Sequence, residues 1–315
     1  MNVLMIGNGA FAKKHLDGIR NIDGITVTAI VGRRQSATQE IADQYGIAHA
    51  FDNLEAALAI PGLDAAIITS PTQVHAVQAI QCMRAGLHVE VEIPMADSLQ
   101  DARSICEAQR ETGKIAMAGH TRRFNPSHQY VRQLIDKDEF NIQQMDVQTY
   151  FFRRTNMNAE GNARSWTDHL LWHHACHTVD LFQYQTGEIA SEVFALQGPK
   201  HPELGIAMDM SIGMKTPSGA LCTLSLSFNN NGPLGTFFRY IGDSNTYIAR
   251  YDDLVDGHEN SIDVSNVAVS MNGIELQDRE FFDSIAQNRE PNSSVHQCID
   301  AMETLQRLSE CLDYA

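Results

Sequence analysis

The sequence predicts an N-terminal α/β domain on a doubly wound parallel sheet, followed by an α+β domain with a mostly antiparallel open sheet. Three observations carry this. Over residues 1–120, short apolar runs alternate with helical patterns, the βαβ texture of a buried parallel sheet. After residue 120 the runs lengthen, alternate apolar with polar, and meet in turns such as Thr216-Pro217-Ser218-Gly219; this suits antiparallel strands wetted on one face. The chain's 315 residues exceed the roughly 250–300 at which one core stops growing. Domains are therefore expected at 1–120 and 121–315, with the C-terminal helix packing back on the first.

Taken in order, Val3–Ile6 reads as a strand and Ala10–Arg20 as a helix. Ile25–Val31 is β-branched and reads as a second strand, and Ser36 is the expected N-cap of a helix to Tyr45. Ala65–Thr69 is a buried strand, and Thr72–Ala85 a helix closed by Gly86. His88–Ile93 is a strand ended by Pro94, Ser98–Thr112 a helix ended by Gly113, and Ile115–Ala118 one more strand. In the second domain, strands are expected at 142–152, 192–197, 207–214, 220–228, 237–241 and 246–251. Helices are expected at 126–136, 165–185, 278–287 and 294–312.

Gly7-Asn8-Gly9-Ala10-Phe11-Ala12 joins the first strand to the first helix. Gly7 permits the tight turn, Gly9 lets backbone approach a pyrophosphate, and Ala12 allows close helix–strand packing. The helix N-terminus offers free N–H groups to phosphates. The pattern predicts a dinucleotide-binding Rossmann domain. Where NAD enzymes often carry an acid at the end of the second strand, this chain has Val31-Gly32-Arg33-Arg34. Two guanidinium forks suit a 2′-phosphate, so NADP is the expected cofactor. Thr69, Ser70 and Thr72 lie at the carboxyl edge of the sheet, placed either to touch the cofactor or to cap the next helix.

Composition narrows the function. The net charge of −16 argues against a nucleic-acid partner. No apolar run reaches a membrane span, and the first residues show no targeting peptide. Six scattered cysteines without CxxC spacing fit a reduced, cytoplasmic chain with no metal. Against this acidic background, residues 120–180 gather Arg122, Arg123, Arg153, Arg154 and Arg164 with His120, His169, His173, His174 and His177. Such a cationic concentration fits a small anionic substrate.

The Gly7–Ala12 loop, the Thr69–His75 loop, Glu90-Val91-Glu92-Ile93-Pro94, Arg123-Phe124-Asn125-Pro126 and His177-Thr178-Val179-Asp180 agree in order and spacing with one family. They resemble the Gfo/Idh/MocA oxidoreductases. The resemblance implies a dehydrogenase whose cofactor set is Gly7, Gly9, Ala10, Phe11, Ala12, Arg33, Arg34, Thr69, Ser70, Thr72, His75, Glu92, Pro94 and Arg123. It also implies a cis bond before Pro94 and a homodimer, with a tetramer as the alternative. Two positions depart from the family pattern: Ile93 stands where its lysine is usual, and His173 where an Asp is common. Segments 144–154 and 164–174 resemble a branch acting on a semialdehyde dicarboxylate of the protocatechuate 4,5-cleavage route of aromatic (lignin-derived) catabolism. That branch forms a pyrone lactone with NADP.

A hemiacetal substrate gives the missing lysine a chemical reason. Loss of hydride and of the hydroxyl proton yields the lactone directly, without a covalent thiol adduct. A neutral His is then a credible base. His177, at the family position, is the expected catalytic residue, with His173 the alternative. The expected substrate set is Arg122, Arg123, Arg154, Arg164, Trp166 and His169. Strand alternation sends Arg153 and Arg154 to opposite faces, and Arg154 is preferred. His169, His173 and His177 at i, i+4, i+8 would form one helical stripe; acid–base, structural and metal-binding readings of it stay open. The competing functions are an NADP-dependent dehydrogenase for a sugar or another dicarboxylate, a non-catalytic NADP-binding protein, and, remotely, a zinc hydrolase.

Overall fold

The computed structural model describes residues 1–157, 161, 163–164, 166–265 and 273–313. The chain divides into two compact units, Met1–His120 with Ile274–Ile299, and Thr121–Gly273 with Asp300–Ala315. A simple cut at residue 120 leaves out that return: the stretch Ile274–Ile299 belongs with the first unit.

The first unit runs β1 (Asn2–Ile6), α1 (Ala10–Ile19), β2 (Thr26–Val31), α2 (Gln35–Tyr45), β3 (His49–Phe51), α3 (Leu54–Leu58), β4 (Ala65–Ile68), α4 (His75–Arg84), β5 (His88–Val91), α5 (Leu99–Thr112) and β6 (Ala116–Ala118). The six strands are parallel, in the order β3-β2-β1-β4-β5-β6. Every residue of β4 is buried, as helices on both faces of a parallel sheet require. Ser98 caps α5 by accepting from the Asp101 amide at 3.1 Å, and Gly113 closes it in the left-handed region. The expected Ser36 cap does not form. The Arg34 carbonyl accepts from Thr38 N–H and its hydroxyl (3.0 and 2.8 Å), so α2 begins at Gln35. The helix expected from Thr72 opens as a 3₁₀ turn, Thr72–Val74, before α4. The Ile93–Pro94 bond is cis.

The second unit holds α6 (Pro126–Asp136), β7 (Ile142–Tyr150), α7 (Cys176–Thr186), β8 (Glu192–Gln197), β9 (Asp209–Lys215), β10 (Leu221–Ser227), β11 (Gly235–Gly242), β12 (Thr246–Arg250) and β13 (Asp253–Asp256). Its sheet runs β13-β12-β11-β7-β10-β9-β8, antiparallel except for the central β7–β10 pair. One face is the core, with Met145, Val147, Leu224, Leu226, Phe238 and Tyr240 all buried. The opposite face carries exposed Phe194, Leu196 and Leu221.

The chain then forms α8 (Ile274–Gln287) and α9 (Val295–Asp313). No helix among the described residues is long and apolar enough to cross a membrane. The helix expected from Ser165 starts later. Ser165 lies outside the described residues, and the first helical turn is π-helical, Leu170–Ala175, running into α7.

Candidate active-site residues

In the first unit, Gly7 takes φ +117°, and a Cβ there would meet the Thr69 hydroxyl at 2.4 Å. No larger residue fits between β1 and the β4 loop. Gly9 differs: a Cβ there would meet nothing within 4 Å. It is the N-cap residue of α1 and supplies no side-chain cap. The first amides of α1 thus face an open approach with no acid in the first turn, which suits a phosphate. Ala12 is fully buried against the sheet, while Phe11 is half exposed with Lys14 Nζ 4.9 Å above its ring.

Arg33 and Arg34 are exposed beyond β2, and neither has an ion-pair partner among the described residues. Gly32 is required beside them, because a Cβ would strike Thr38 Oγ1 and the Asn8 amide within 2.6 Å. Around the β4 loop, Thr69 Oγ1 donates to the Ile6 carbonyl (3.2 Å) and Ser70 Oγ to Gln78 Oε1 (2.5 Å). Thr72 is buried. His75 lies between two carbonyls, Nε2 2.7 Å from Ser70 O and Nδ1 3.0 Å from Pro94 O, and the neutral ring donates to one of them. Burial lowers its pKa despite those acceptors.

Glu92, at the end of β5, belongs to a buried network that no sequence motif announced. His15 on α1 places Nδ1 2.7 Å from Asp278 Oδ1 and Nε2 3.2 Å from Glu92 Oε1. Gln277 Nε2 donates to Glu90 Oε1 (2.8 Å) and Glu92 Oε1 (3.1 Å). With a carboxylate at each ring nitrogen, His15 is an imidazolium. Burial opposes its charge, but Asp278 and Glu92 outweigh burial and raise its pKa well above the ordinary value. Burial and the neighbouring Asp278 raise Glu90 strongly. Burial also works against the Glu92 charge, yet the His15 hydrogen bond holds Glu92 below its usual value.

In the second unit, Arg123 gives Nε and Nη2 to the two oxygens of Asp180 (2.8 and 2.6 Å), with Tyr184 under its guanidinium. This pair bolts the 3₁₀ turn Thr121–Arg123 to α7. Arg122 is buried over the Tyr251 ring and donates to Asn125 Oδ1 at 3.3 Å.

The expected histidine stripe is replaced by a different arrangement. His169 is extended (φ −108°, ψ 137°) and caps the π turn, its Nδ1 accepting from Leu171 N–H. His173, inside the π turn, accepts from His169 N–H on Nδ1 at 3.0 Å and stacks against Trp166 (centroids 5.1 Å, 32°). Burial, then the adjacent His174, pushes His173 down to about 4, so it is neutral at pH 7. His177 is half-buried in the first turn of α7. A π turn adds a residue to its ring of backbone, so the α-helical phase that aligned the three does not hold.

Asp168 stands in no motif of the sequence, yet it organises this region. It accepts from Arg153 Nη1 and, at 2.9 Å, from Arg164 Nη1 on Oδ1, while His174 Nε2 lies 3.3 Å from Oδ2. Arg153 is thus drawn in with Phe228 and His174. Arg154, the one expected to face substrate, is exposed, lies over Phe152 and donates to backbone carbonyls. The signal for Asp168 was its spacing, four residues after Arg164 and six before His174.

Comparison with known proteins places these features. The family described as "Oxidoreductase family, NAD-binding Rossmann fold" matches residues 1–120. That described as "Bacterial oxidoreductases, C-terminal" matches residues 126–268. The chain is 60% identical over 313 residues to 4-carboxy-2-hydroxymuconate-6-semialdehyde dehydrogenase of Sphingobium sp. (strain NBRC 103272 / SYK-6), covering 99% of both chains. Among solved structures it resembles levoglucosan dehydrogenase in complex with NADH (TM-score 0.87, 16% identity, 100% of this chain and 97% of that one). It also resembles an Agrobacterium radiobacter oxidoreductase in complex with NAD+, L-tartaric acid and magnesium (TM-score 0.85, 16% identity, 99% and 96%). At those identities the two structures establish the shared fold. The chain belongs to the Gfo/Idh/MocA family of oxidoreductase enzymes.

Proposed function

We propose that this protein oxidises the cyclic hemiacetal of 4-carboxy-2-hydroxymuconate-6-semialdehyde to the lactone 2-pyrone-4,6-dicarboxylate with NADP, in protocatechuate catabolism. The observation that carries the reading is the convergence of Arg153, Arg164 and His174 on Asp168, two guanidinium groups against one carboxylate, in a chain with net charge −16. That arrangement suits a substrate with two carboxylates, and the named relative at 60% identity is the second support.

The NADP supplies the hydride acceptor. The C–H bond at the hemiacetal carbon breaks with its electron pair, His177 takes the hydroxyl proton, and the C–O bond becomes the lactone carbonyl. Arg164 and Trp166 hold the ring, with Arg122 and His169 as further substrate contacts, and guanidinium charge stabilises the developing oxyanion. No thiol is needed: burial pushes Cys82 and Cys106 up to about 12 and about 11, far from a working thiolate. Arg33 and Arg34, exposed and without ion-pair partners among the described residues, favour NADP over NAD.

Initial-rate formation of reduced cofactor from the enzymatically generated semialdehyde, with NADP and NAD side by side, tests both halves. The expected result is turnover to the pyrone with NADP preferred. Replacing Arg33 and Arg34 by Ala is expected to weaken NADP about 10–100-fold and leave NAD nearly unchanged, the scale of lost charge-assisted phosphate contacts. Turnover of an uncharged sugar alone would refute the substrate assignment.

The proposed enzyme is a homodimer through the outer face of the second sheet. Phe194, Leu196 and Leu221 there are 54%, 59% and 44% exposed, and their paired registers put them on one face. A sedimentation mass of one chain at micromolar concentration would rule this out.

A further inference from the structure

Asp168 sits in the middle of the positive charge on which the dicarboxylate reading depends. Burial opposes its ionisation, but hydrogen bonds from His174 and Arg153 hold its carboxyl far below the usual carboxylate range. Two guanidinium groups face this single carboxylate, so positive charge is left over. The four side chains are not equally reachable. Arg153 is 10% exposed, Asp168 12%, His174 18% and Arg164 29%.

Arg153 has both terminal nitrogens engaged. Nη1 goes to Asp168, Nη2 to Asn156 Oδ1 (2.9 Å), and its face lies on Phe228. Asn156 is itself braced, donating to Trp166 O and Thr167 Oγ1 at 3.0 Å each. Its carbonyl accepts from Arg164 N–H (2.9 Å). Arg164 gives Asp168 only Nη1. Its Nε and Nη2, the edge that pairs side-on with a carboxylate, make no hydrogen bond among the described residues.

We infer that Asp168 is a positioning residue: it aims the open Nε/Nη2 edge of Arg164 at one carboxylate of the bound substrate, with Arg153 and His174 held in place behind it. This rests on the dicarboxylate reading above. Asp168 touches no reacting atom. It fixes the rotamer of a flexible side chain before substrate arrives, so less ordering is left to binding. An arginine aimed in advance raises affinity for the carboxylate and leaves the hydride step alone.

The test uses the intact enzyme carrying Asp168→Asn, which keeps the shape and removes the charge. KM for the semialdehyde is expected to rise about tenfold, one lost charge-assisted contact, with kcat and NADP affinity within twofold. Calorimetry with isophthalate, a planar 1,3-dicarboxylate, reads the same subsite without turnover. It is expected to bind the wild-type enzyme and to weaken to the same extent in Asp168→Asn and in Arg164→Lys, which keeps charge but loses the fork. Benzoate binding is expected to be weak in all three. Should Asp168→Asn fail to fold, Arg164→Lys carries the test alone. Unchanged KM and isophthalate affinity in a folded variant would overturn the inference, as would a parallel loss of kcat and NADP binding. A wild-type enzyme inert toward the semialdehyde, yet losing isophthalate with Asp168, would refute the proposed function and uphold the positioning role.

Discussion

Replacing His177 by Ala is expected to lower kcat by about 10²–10⁴-fold, the usual cost of removing a general base, with NADP affinity nearly unchanged. His173 has no lone pair to offer. Its Nδ1 already accepts from His169 N–H, so the neutral ring must carry its hydrogen on Nε2. Taking a substrate proton would cost that hydrogen bond, and a conjugate acid with a pKa of about 4 holds a proton poorly at neutral pH. His173 suits a different task, bracing Trp166 by stacking and closing the turn that leads to α7. His177 follows directly, half-buried in the first turn of α7. Single-turnover rates and NADP titrations on the purified variant give the measurement. A kcat within threefold of the wild-type enzyme would remove His177 from the role, and an acid limb of kcat/KM centred near 4 would reassign the proton to His173.

His15→Ala is expected to destabilise the first unit by about 3–5 kcal/mol, the scale for breaking a buried ion pair from one side. The side chain is fully buried and is the cation that Asp278 and Glu92 share. Without it, two carboxylates lose a charged donor in a site that water does not reach. The pH dependence has a defined sign. Because the folded protein raises the pKa of His15, its stabilisation is complete below about pH 6.5, its unfolded value, and is lost as pH climbs through the folded value. Glu90, also raised, acts in the same direction from its own unfolded value of about 4.3 upward. Urea denaturation at several pH values is therefore expected to show wild-type stability declining on the alkaline side, and His15→Ala showing a much smaller decline there. Equal slopes would mean that His15 is not the titrating partner.

The first domain was legible because its signals are local. Gly7 and Gly9 mark the phosphate turn, β4 is a run of four buried residues, and Gly113 ends α5 where the chain must turn left-handed. β3, α3 and β13, of three, five and four residues, were not foreseen. They are too short for periodicity to register and owe their form to neighbours such as β2 and β12. The π turn escaped for a related reason: its residues read as ordinary helix, and only packing reveals the wider ring. In the candidate site, the concentration of Arg and His was plain from composition, but not its internal order. Asp168 decides which arginines are drawn in, and one carboxylate among so many cations looks incidental in a linear reading. The His15 network was hidden because it is assembled from α1, β5 and α8, separated by up to 263 positions.

The return of Ile274–Ile299 to the first unit sets an order of events during synthesis. Residues 1–120 leave the ribosome with His15, Glu90 and Glu92 in place but without Asp278 and Gln277. At about 5–20 residues per second, the intervening second unit takes roughly 10–30 s to emerge. Through that interval the nascent nucleotide-binding half has a polar core lacking two of its partners, and the groove that α8 will fill stays open to chaperones and proteases. The parallel β7–β10 pair, whose Gln144 and Leu221 are neighbours, must likewise wait for β10. A chain stopped before α8 is then a folding liability rather than a smaller enzyme: only a product that includes Ile274–Ile299 closes its first half.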